Sequence, residues 1–317
     1  MIQSIREYLG TLTARFSEGW NRFWFTPSDT TTLGALRVLV GLLALYFHLS
    51  WCADLVPLLS TEGLISVETV EQLGPGRTTF SYYNLLHSPG ELWTAHLLGA
   101  AVLLLLTVGV LTRVTSVLSL IVVLSLVHRA PLVTAEAEPI LTMLLFYLCL
   151  APAGRSLSVD AWRARRKAGS EAESPAPTWT ATVATRLIQV HLSALYLLMA
   201  LVKIGGDTWW EGSAVWWLIT RTEQRLIDMT WLHAHPFAIN LWTHSIVLFE
   251  LVFGLLIWNR TARPLLLGIS GLMWLSLALV TGKILFCTLM FVAGLAFVSP
   301  IAMRSFLAKR TPATGQM

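Results

Sequence analysis

The sequence has few charged residues: Asp, Glu, Lys and Arg make up 13% of its 317 residues, whereas a soluble globular domain carries roughly 25%. Apolar residues make up 55%, and the mean hydropathy is +0.65. A soluble fold of this length cannot bury so much apolar surface, so the excess is expected to face lipid. The composition therefore excludes an ordinary soluble protein and favours an integral membrane protein.

Cysteine is also scarce. Cys52, Cys149 and Cys287 each lie in or beside an apolar run, and none belongs to a CxxC pair. We interpret them as small buried side chains and expect neither a disulfide framework nor a zinc site. The sequence also lacks a Gly-rich phosphate-binding loop and an HExxH motif. We therefore predict no metal site. We also predict no nucleic-acid binding, because the one basic loop is better explained as a topology signal and a contact with anionic lipid.

The N-terminus lacks the continuous apolar segment of a signal peptide. Instead, charged residues separate apolar ones that recur every three or four positions, which predicts an amphipathic helix on the membrane surface over residues 1–25. A transmembrane domain is expected over residues 30–303 and a cytoplasmic tail over 304–317. The apolar positions of the predicted surface helix are Ile2, Ile5, Leu9, Leu12, Phe16, Trp20 and Phe23.

Apolar runs long enough to span a bilayer fill most of the remaining chain, since a membrane helix needs about 20 residues. The fold predicted from them is an all-α, polytopic transmembrane helical bundle with about eight spans. The predicted spans are 33–55, 92–111, 114–131, 134–152, 181–203, 238–258, 264–281 and 283–302.

The distribution of charge orients this bundle, because cytoplasmic connections of membrane proteins are rich in Lys and Arg. With the N-terminus in the cytoplasm, the connections on that side include Arg113 and the basic segment 155–167, whereas most acidic residues lie on the outer side. An even number of spans then returns the C-terminus to the cytoplasm. We predict a multi-pass protein of the cell membrane whose first partner is the lipid bilayer.

Charged residues inside spans are unusual, because a charge at mid-bilayer costs about 2.5–3.5 kcal/mol on insertion scales. Glu250 lies in the sixth span, so it is either protonated or paired, with Arg37 as one candidate partner. Lys203 ends the fifth span, with Tyr196 on nearly the same helix face. It is either a snorkelling lysine or, in an apolar pocket, a base.

Two carboxylates precede the fourth span, in the sequence Glu136-Ala-Glu138-Pro139. Acidic residues and proline are both favoured in the first turn of a helix, so these residues fit a structural role. The alternative is a chemical role beside Lys203, which the predicted topology places on the same side of the membrane.

Three segments resemble a known family: residues 33–41 (LGALRVLVG), 154–160 (GRSLSVD) and 200–212 (ALVKIGGDTWWEG). They are similar to the HTTM family, the membrane domain shared with vitamin K-dependent gamma-carboxylase, over about residues 30–300. The last segment carries the most specific part of this resemblance.

The resemblance implies a chemistry. The carboxylase uses a deprotonated lysine to start oxygenation of a reduced vitamin K quinone, and the resulting base removes a γ-proton from a protein glutamate, to which carbon dioxide adds. Its lysine matches Lys203. The resemblance thus implies Lys203 as the catalytic base. Glu138 and Glu136, on the same side of the membrane, are further catalytic candidates, and Tyr196, Trp209 and Glu250 are candidate contacts of a reduced isoprenoid quinone.

The chain also departs from that pattern. It has Val202 where the carboxylase has a second lysine, and no histidine near Glu136 and Glu138, where the carboxylase has an assisting one. We also expect no counterpart of the lumenal domain after Met317. Two hypotheses follow: a quinone-dependent enzyme related to a carboxylase or epoxidase, or a non-catalytic module that binds lipid or a partner protein. A transporter is disfavoured because no internal repeat is visible.

The predicted orientation can be tested by labelling in intact cells. In a variant without the three native cysteines, a cysteine introduced as Ser170→Cys should resist an impermeant thiol reagent until the membrane is opened. The control Glu62→Cys, on the predicted outer side, should react at once. The reverse pattern would invert the topology.

Overall fold

The computed structural model describes residues 2–73, 80–169, 175–221 and 225–308. Within these ranges the regular structure is helical, and the one extended pairing is an isolated bridge between Ser28 and Thr178. The predicted all-α fold is confirmed. The α-helices are α1 (Ile2–Phe25), α2 (Thr31–Ser50), α3 (Leu55–Leu59), α4 (Val67–Leu73), α5 (Pro89–Val108), α6 (Thr112–Arg129), α7 (Ala137–Leu150), α8 (Val159–Ala168), α9 (Trp179–Ile204), α10 (Asp207–Trp210), α11 (Ala214–Ile219), α12 (Pro236–Leu256), α13 (Arg263–Thr281), α14 (Ile284–Gly294) and α15 (Pro300–Ala308).

Six helices are long and apolar enough to cross a membrane, namely α2, α5, α6, α9, α12 and α13. A seventh span results if Ile284–Phe297 and Pro300–Ala308, which are bent by 112°, count as one. Helix α7 has 14 residues, or about 21 Å, which is shorter than the ~30 Å hydrocarbon core. The chain is a multi-pass membrane protein, but six or seven spans meet these criteria rather than the predicted eight.

Proline explains why two of the predicted spans, 134–152 and 283–302, do not form single long helices. Pro300 has no N–H to donate and disfavours helical backbone at Ser299, so the predicted span 283–302 breaks there and the chain turns. The predicted span 134–152 likewise shrinks to α7, which begins just before Pro139 and ends before Pro152. An apolar run in the sequence therefore overestimates the helix when a proline lies near its end.

Helix α1 occurs where the surface helix was predicted. Several of its apolar side chains are half exposed or more, including Leu9, Leu12, Phe16 and Trp20. Its position on a membrane stays a prediction. Of the predicted tail, residues 309–317 lie outside the described residues.

Two opposite ends of the bundle can be defined from loop contacts. At the first end, which we call the arginine-rich face, the Asp160 carboxylate accepts from the Leu111 and Thr112 amides, and Arg304 pairs with Asp29. At the opposite face, Arg129 donates to the Leu59 carbonyl. Helix α6 connects the two faces, since Thr112 lies at the first and Arg129 at the second, and which face is cytoplasmic stays a prediction.

Arg37 fixes the start of α2 to the turn after α7. Its side chain is fully buried, and its guanidinium donates to the carbonyls of Ala153 at 2.8 Å, Ser156 at 3.4 Å, and Leu157. Backbone carbonyls thus solvate the charge where water is absent. The hypothesis that Arg37 pairs with Glu250 is therefore wrong.

Helices α9 and α12 pack closely because a glycine lies at their contact. A Cβ on Gly254 would fall 2.5 Å from Leu197 Cγ and 3.1 Å from the Ser193 carbonyl oxygen. A larger residue would force the helices apart. The contact places one turn of α12 directly against the second half of α9, where the candidate site lies.

We predict that Gly254→Val lowers the unfolding free energy in detergent by about 1–3 kcal/mol, because the added methyl groups overpack this contact. The matched control is Gly268→Val in α13, where a new Cβ meets nothing within 4 Å. Both variants introduce the same branched residue into a helix. Equal losses in the two variants would contradict the close-packing argument.

Candidate functional site

The two charged residues singled out in the spans form an ion pair. The Lys203 ammonium, in the last turn of α9, donates to both carboxylate oxygens of Glu250 in α12, at 2.7 and 2.8 Å. The Glu250 side chain is 1% exposed and that of Lys203 is 16% exposed. Sequence reasoning identified both residues but did not pair them.

The Lys203 side chain turns back into the bundle. Gly254 lies against Ser193 and Leu197, and α12 runs opposite to α9, so Glu250 lies about one turn further along, near the level of Met199. Lys203 therefore reaches a carboxylate that is deeper than its own backbone. A snorkelling lysine would extend toward water instead.

Trp209 covers the ammonium. Helix α9 ends at Ile204, and in the turn that follows the Trp209 amide donates to the Gly206 carbonyl at 3.0 Å. This turn brings the indole ring to 5.1 Å, centroid to Lys203 Nζ. Such a cation–π contact is worth about 0.5–2 kcal/mol. It gives the ammonium a second favourable neighbour and an aromatic wall.

Tyr196 belongs to the core between α9, α12 and α13. It is fully buried, and its hydroxyl accepts from Trp274 Nε1 at 2.6 Å and shares a hydrogen bond with Ser270 at 3.2 Å. Its ring stacks on Phe253 with centroids 4.0 Å apart. Because the protein already uses its polar atom and this ring face, Tyr196 supports the site by packing, and a ligand contact stays a prediction.

The carboxylates that precede α7 have other partners. Glu136 pairs with Lys283, whose ammonium holds the pKa of Glu136 below its usual range, and Glu138, 7% exposed, accepts from the Ala135 amide at 2.9 Å. Glu138 thus accepts from a backbone amide at the start of α7, which is the structural role expected of a carboxylate in the first turn of a helix. The structure does not bring either residue into contact with Lys203, and their catalytic roles stay predictions.

A second buried polar cluster was not foreseen. The His48 and His96 rings stack with centroids 3.9 Å apart. His96 Nε2 lies 3.5 Å from Cys52 Sγ, and His96 Nδ1 lies 3.3 Å from the Tyr83 hydroxyl. The spacing of His48 and Cys52 puts them on one face, but only the packing of α2 against α5 adds His96. No group of three or more His, Cys, Asp or Glu in the described ranges could hold a metal ion.

The chemistry open to the Lys203–Glu250 pair is proton transfer. At 2.7 Å the proton can move from Nζ to the carboxylate, which exchanges two opposite charges for a neutral amine and a neutral acid. Burial in a low dielectric raises the free energy of the ion pair relative to the neutral pair, because both charges lose their hydration. The neutral amine has a free lone pair and can act as a base.

Comparison with known proteins identifies a family but no close relative. The model of the HTTM domain matches residues 25–300. No curated protein and no solved structure matches the chain. The match covers the ion pair, Trp209 and the helices that carry them.

We predict strong energetic coupling between Lys203 and Glu250. Removing one partner by Lys203→Met or Glu250→Gln should destabilise the protein, because it leaves a buried polar group unpaired. The double variant should lose about 1–3 kcal/mol less than the sum of the single losses in unfolding free energy, measured in mixed micelles.

The second ion pair supplies a matched control for this cycle. Lys283 and Glu136 have side chains that are 33% and 56% exposed, so Lys283→Met and Glu136→Gln should couple by less than about 1 kcal/mol. Additive losses at Lys203 and Glu250 would show that their contact contributes nothing to folding.

Proposed function

The chain belongs to the HTTM domain family, and from this premise we propose that it is a membrane-embedded acid–base module that binds a reduced isoprenoid quinone and takes its hydroxyl proton at Lys203. The observation that carries the proposal is the Lys203–Glu250 pair, held inside the bundle beneath Trp209. A buried carboxylate paired with a partly exposed lysine side chain is an arrangement suited to proton transfer.

The surroundings of Lys203 fit an amphipathic, lipid-soluble ligand. The neighbouring side chains Leu201 and Val202 are 58% and 75% exposed, which in a membrane means that they face lipid. A quinone with an isoprenoid chain is dissolved in that lipid and can approach from the side. Its ring would meet the Trp209 indole, and its hydroxyl would meet the amine.

The residues of the chain have separate roles in this proposal. A proton first moves from Nζ to Glu250, which makes the amine neutral. Lys203 Nζ then accepts the ligand's proton as the O–H bond breaks, so that an ammonium lies between the quinol anion and a neutral Glu250. The reduced quinone supplies an acidic hydroxyl whose deprotonation prepares the ring for oxygenation by molecular oxygen.

The alternative is a non-catalytic membrane module that binds lipid or a partner protein. One observation favours it: the bidentate contact with Glu250 satisfies the charge of Lys203 without any ligand. In that case the pair joins α9 to α12 and its proton never moves. The two functions differ in whether Lys203 must lose a proton, and this difference can be tested directly.

We predict that Lys203→Arg leaves the protein folded but abolishes activity. Arginine keeps the charge and can pair with Glu250 through two donors, yet it does not release its proton. Oxygen uptake driven by a reduced isoprenoid quinone should fall at least about 10²-fold, the usual contribution of a general base. Lys283→Arg, the same change in the other ion pair, should leave oxygen uptake unchanged.

Two results would overturn the proposal. In the first, the wild-type protein neither binds nor turns over a reduced isoprenoid quinone in nanodiscs. In the second, Lys203→Arg retains wild-type oxygen uptake, which would support the non-catalytic module.

A further inference from the structure

The arginine-rich face contains a cavity that the proposed function does not use. It has a volume of about 630 Å³ and lies between the start of α6, the turn after α7 and one side of α8. Three arginines line it, one from each of these elements: Arg113, Arg155 and Arg165. Arginines from three separate parts of the chain thus border one space.

These three arginines take no part in the ion pairs found in the described ranges. All three side chains are exposed. An arginine fork offers several donors suited to the oxygens of a phosphate group. The cavity is therefore a place where an anion with several oxygens would be bound from more than one side.

The acidic residue of the lining, Asp160, offsets one of the three positive charges and leaves an excess of about two. The Asp160 carboxylate accepts from the Leu111 amide at 3.0 Å and from the Thr112 amide and hydroxyl, both at 2.8 Å. Both of its oxygens are occupied by donors of α6. Asp160 thus holds α8 against the start of α6, which fixes the position of Arg165 relative to Arg113.

The apolar residues that line the cavity favour a lipid headgroup over a free phosphate as the source of the anion. Leu111 and Val114 line it and are 65% and 56% exposed, and they lie where α6 begins its crossing of the bilayer. Apolar walls of this kind suit the glycerol and acyl chains of a lipid, whereas a free phosphate makes no use of them. Basic pockets at this depth are known to bind lipid headgroups.

We propose that this cavity binds the phosphate of an anionic phospholipid in the surrounding leaflet, with Arg113, Arg155 and Arg165 as its ligands. The lipid would place α8 in the headgroup layer and secure the connection between α7 and α9. This inference is independent of the chemistry at Lys203.

The experiment measures the thermal stability of the purified protein in mixed micelles containing phosphatidylglycerol. Because a ligand that binds the folded state raises the unfolding temperature, phosphatidylglycerol should raise it by several degrees, and phosphatidylcholine should not. The variant Arg113→Gln/Arg155→Gln/Arg165→Gln should lose most of this rise. Half of the remaining rise should require at least a tenfold higher concentration of phosphatidylglycerol.

The control triple variant is Arg163→Gln/Arg166→Gln/Lys167→Gln, which removes the same charge from α8 outside the cavity lining. It should keep the response to phosphatidylglycerol. If the lining triple variant fails to fold, the single variants Arg155→Gln and Arg163→Gln give the same comparison, with a partial loss expected in the first alone.

Three outcomes would overturn the proposal. Equal losses in the lining and control variants would reduce the effect to general surface charge. An equal rise with phosphatidylcholine would remove the role of the anionic headgroup. An equal rise with inorganic phosphate or glycerol 3-phosphate, without added lipid, would assign the cavity to a soluble phosphate.

Discussion

A charged side chain inside a bilayer has no water to solvate it, so the protein must supply its partners. The two halves of this chain meet that constraint differently. Backbone carbonyls solvate Arg37 and thereby fix α2 to the turn after α7. A carboxylate solvates Lys203 and thereby joins α9 to α12. Each of these buried charges holds two parts of the chain together. The free energy of desolvating the charge therefore favours the one arrangement in which its partners are in place.

These two solutions have different chemical consequences. The carbonyls around Arg37 accept hydrogen bonds but take up no proton, and arginine does not release one, so that site is fixed in one state. Lysine and glutamate can exchange a proton across their hydrogen bond. A buried ion pair is also weak evidence for stability, because well-packed apolar residues often serve as well. The Lys203–Glu250 pair can therefore change its protonation state in a way that the Arg37 site cannot, which is why the proposed function is placed at this pair.

Much of the fold could be predicted from the sequence, because the bilayer forces an apolar run to become a helix. The bounds of α9, α12 and α13 were predicted to within about two residues, as is usual for helix ends. Glu250 and Lys203 could also be identified from the sequence, because a charged residue in an apolar run raises the free energy of membrane insertion and so needs a partner or a function. Their pairing could not be predicted, because it depends on the depth at which Gly254 sets α12 against α9. The same lack of packing information left Arg37 as a wrong partner for Glu250 and hid the stacking of His48 on His96.

The direction of the Lys203 side chain bears on the two descriptions of this residue that the sequence allowed. A lysine in the last turn of a membrane helix gains most by extending to water, because hydration costs little there. Lys203 instead reaches inward to Glu250 and lies under the Trp209 indole. Lys203 thus exchanges hydration for one carboxylate and one aromatic face, and 16% of its side chain stays exposed. The structure therefore excludes a lysine that extends to water, and its role as a base stays a prediction.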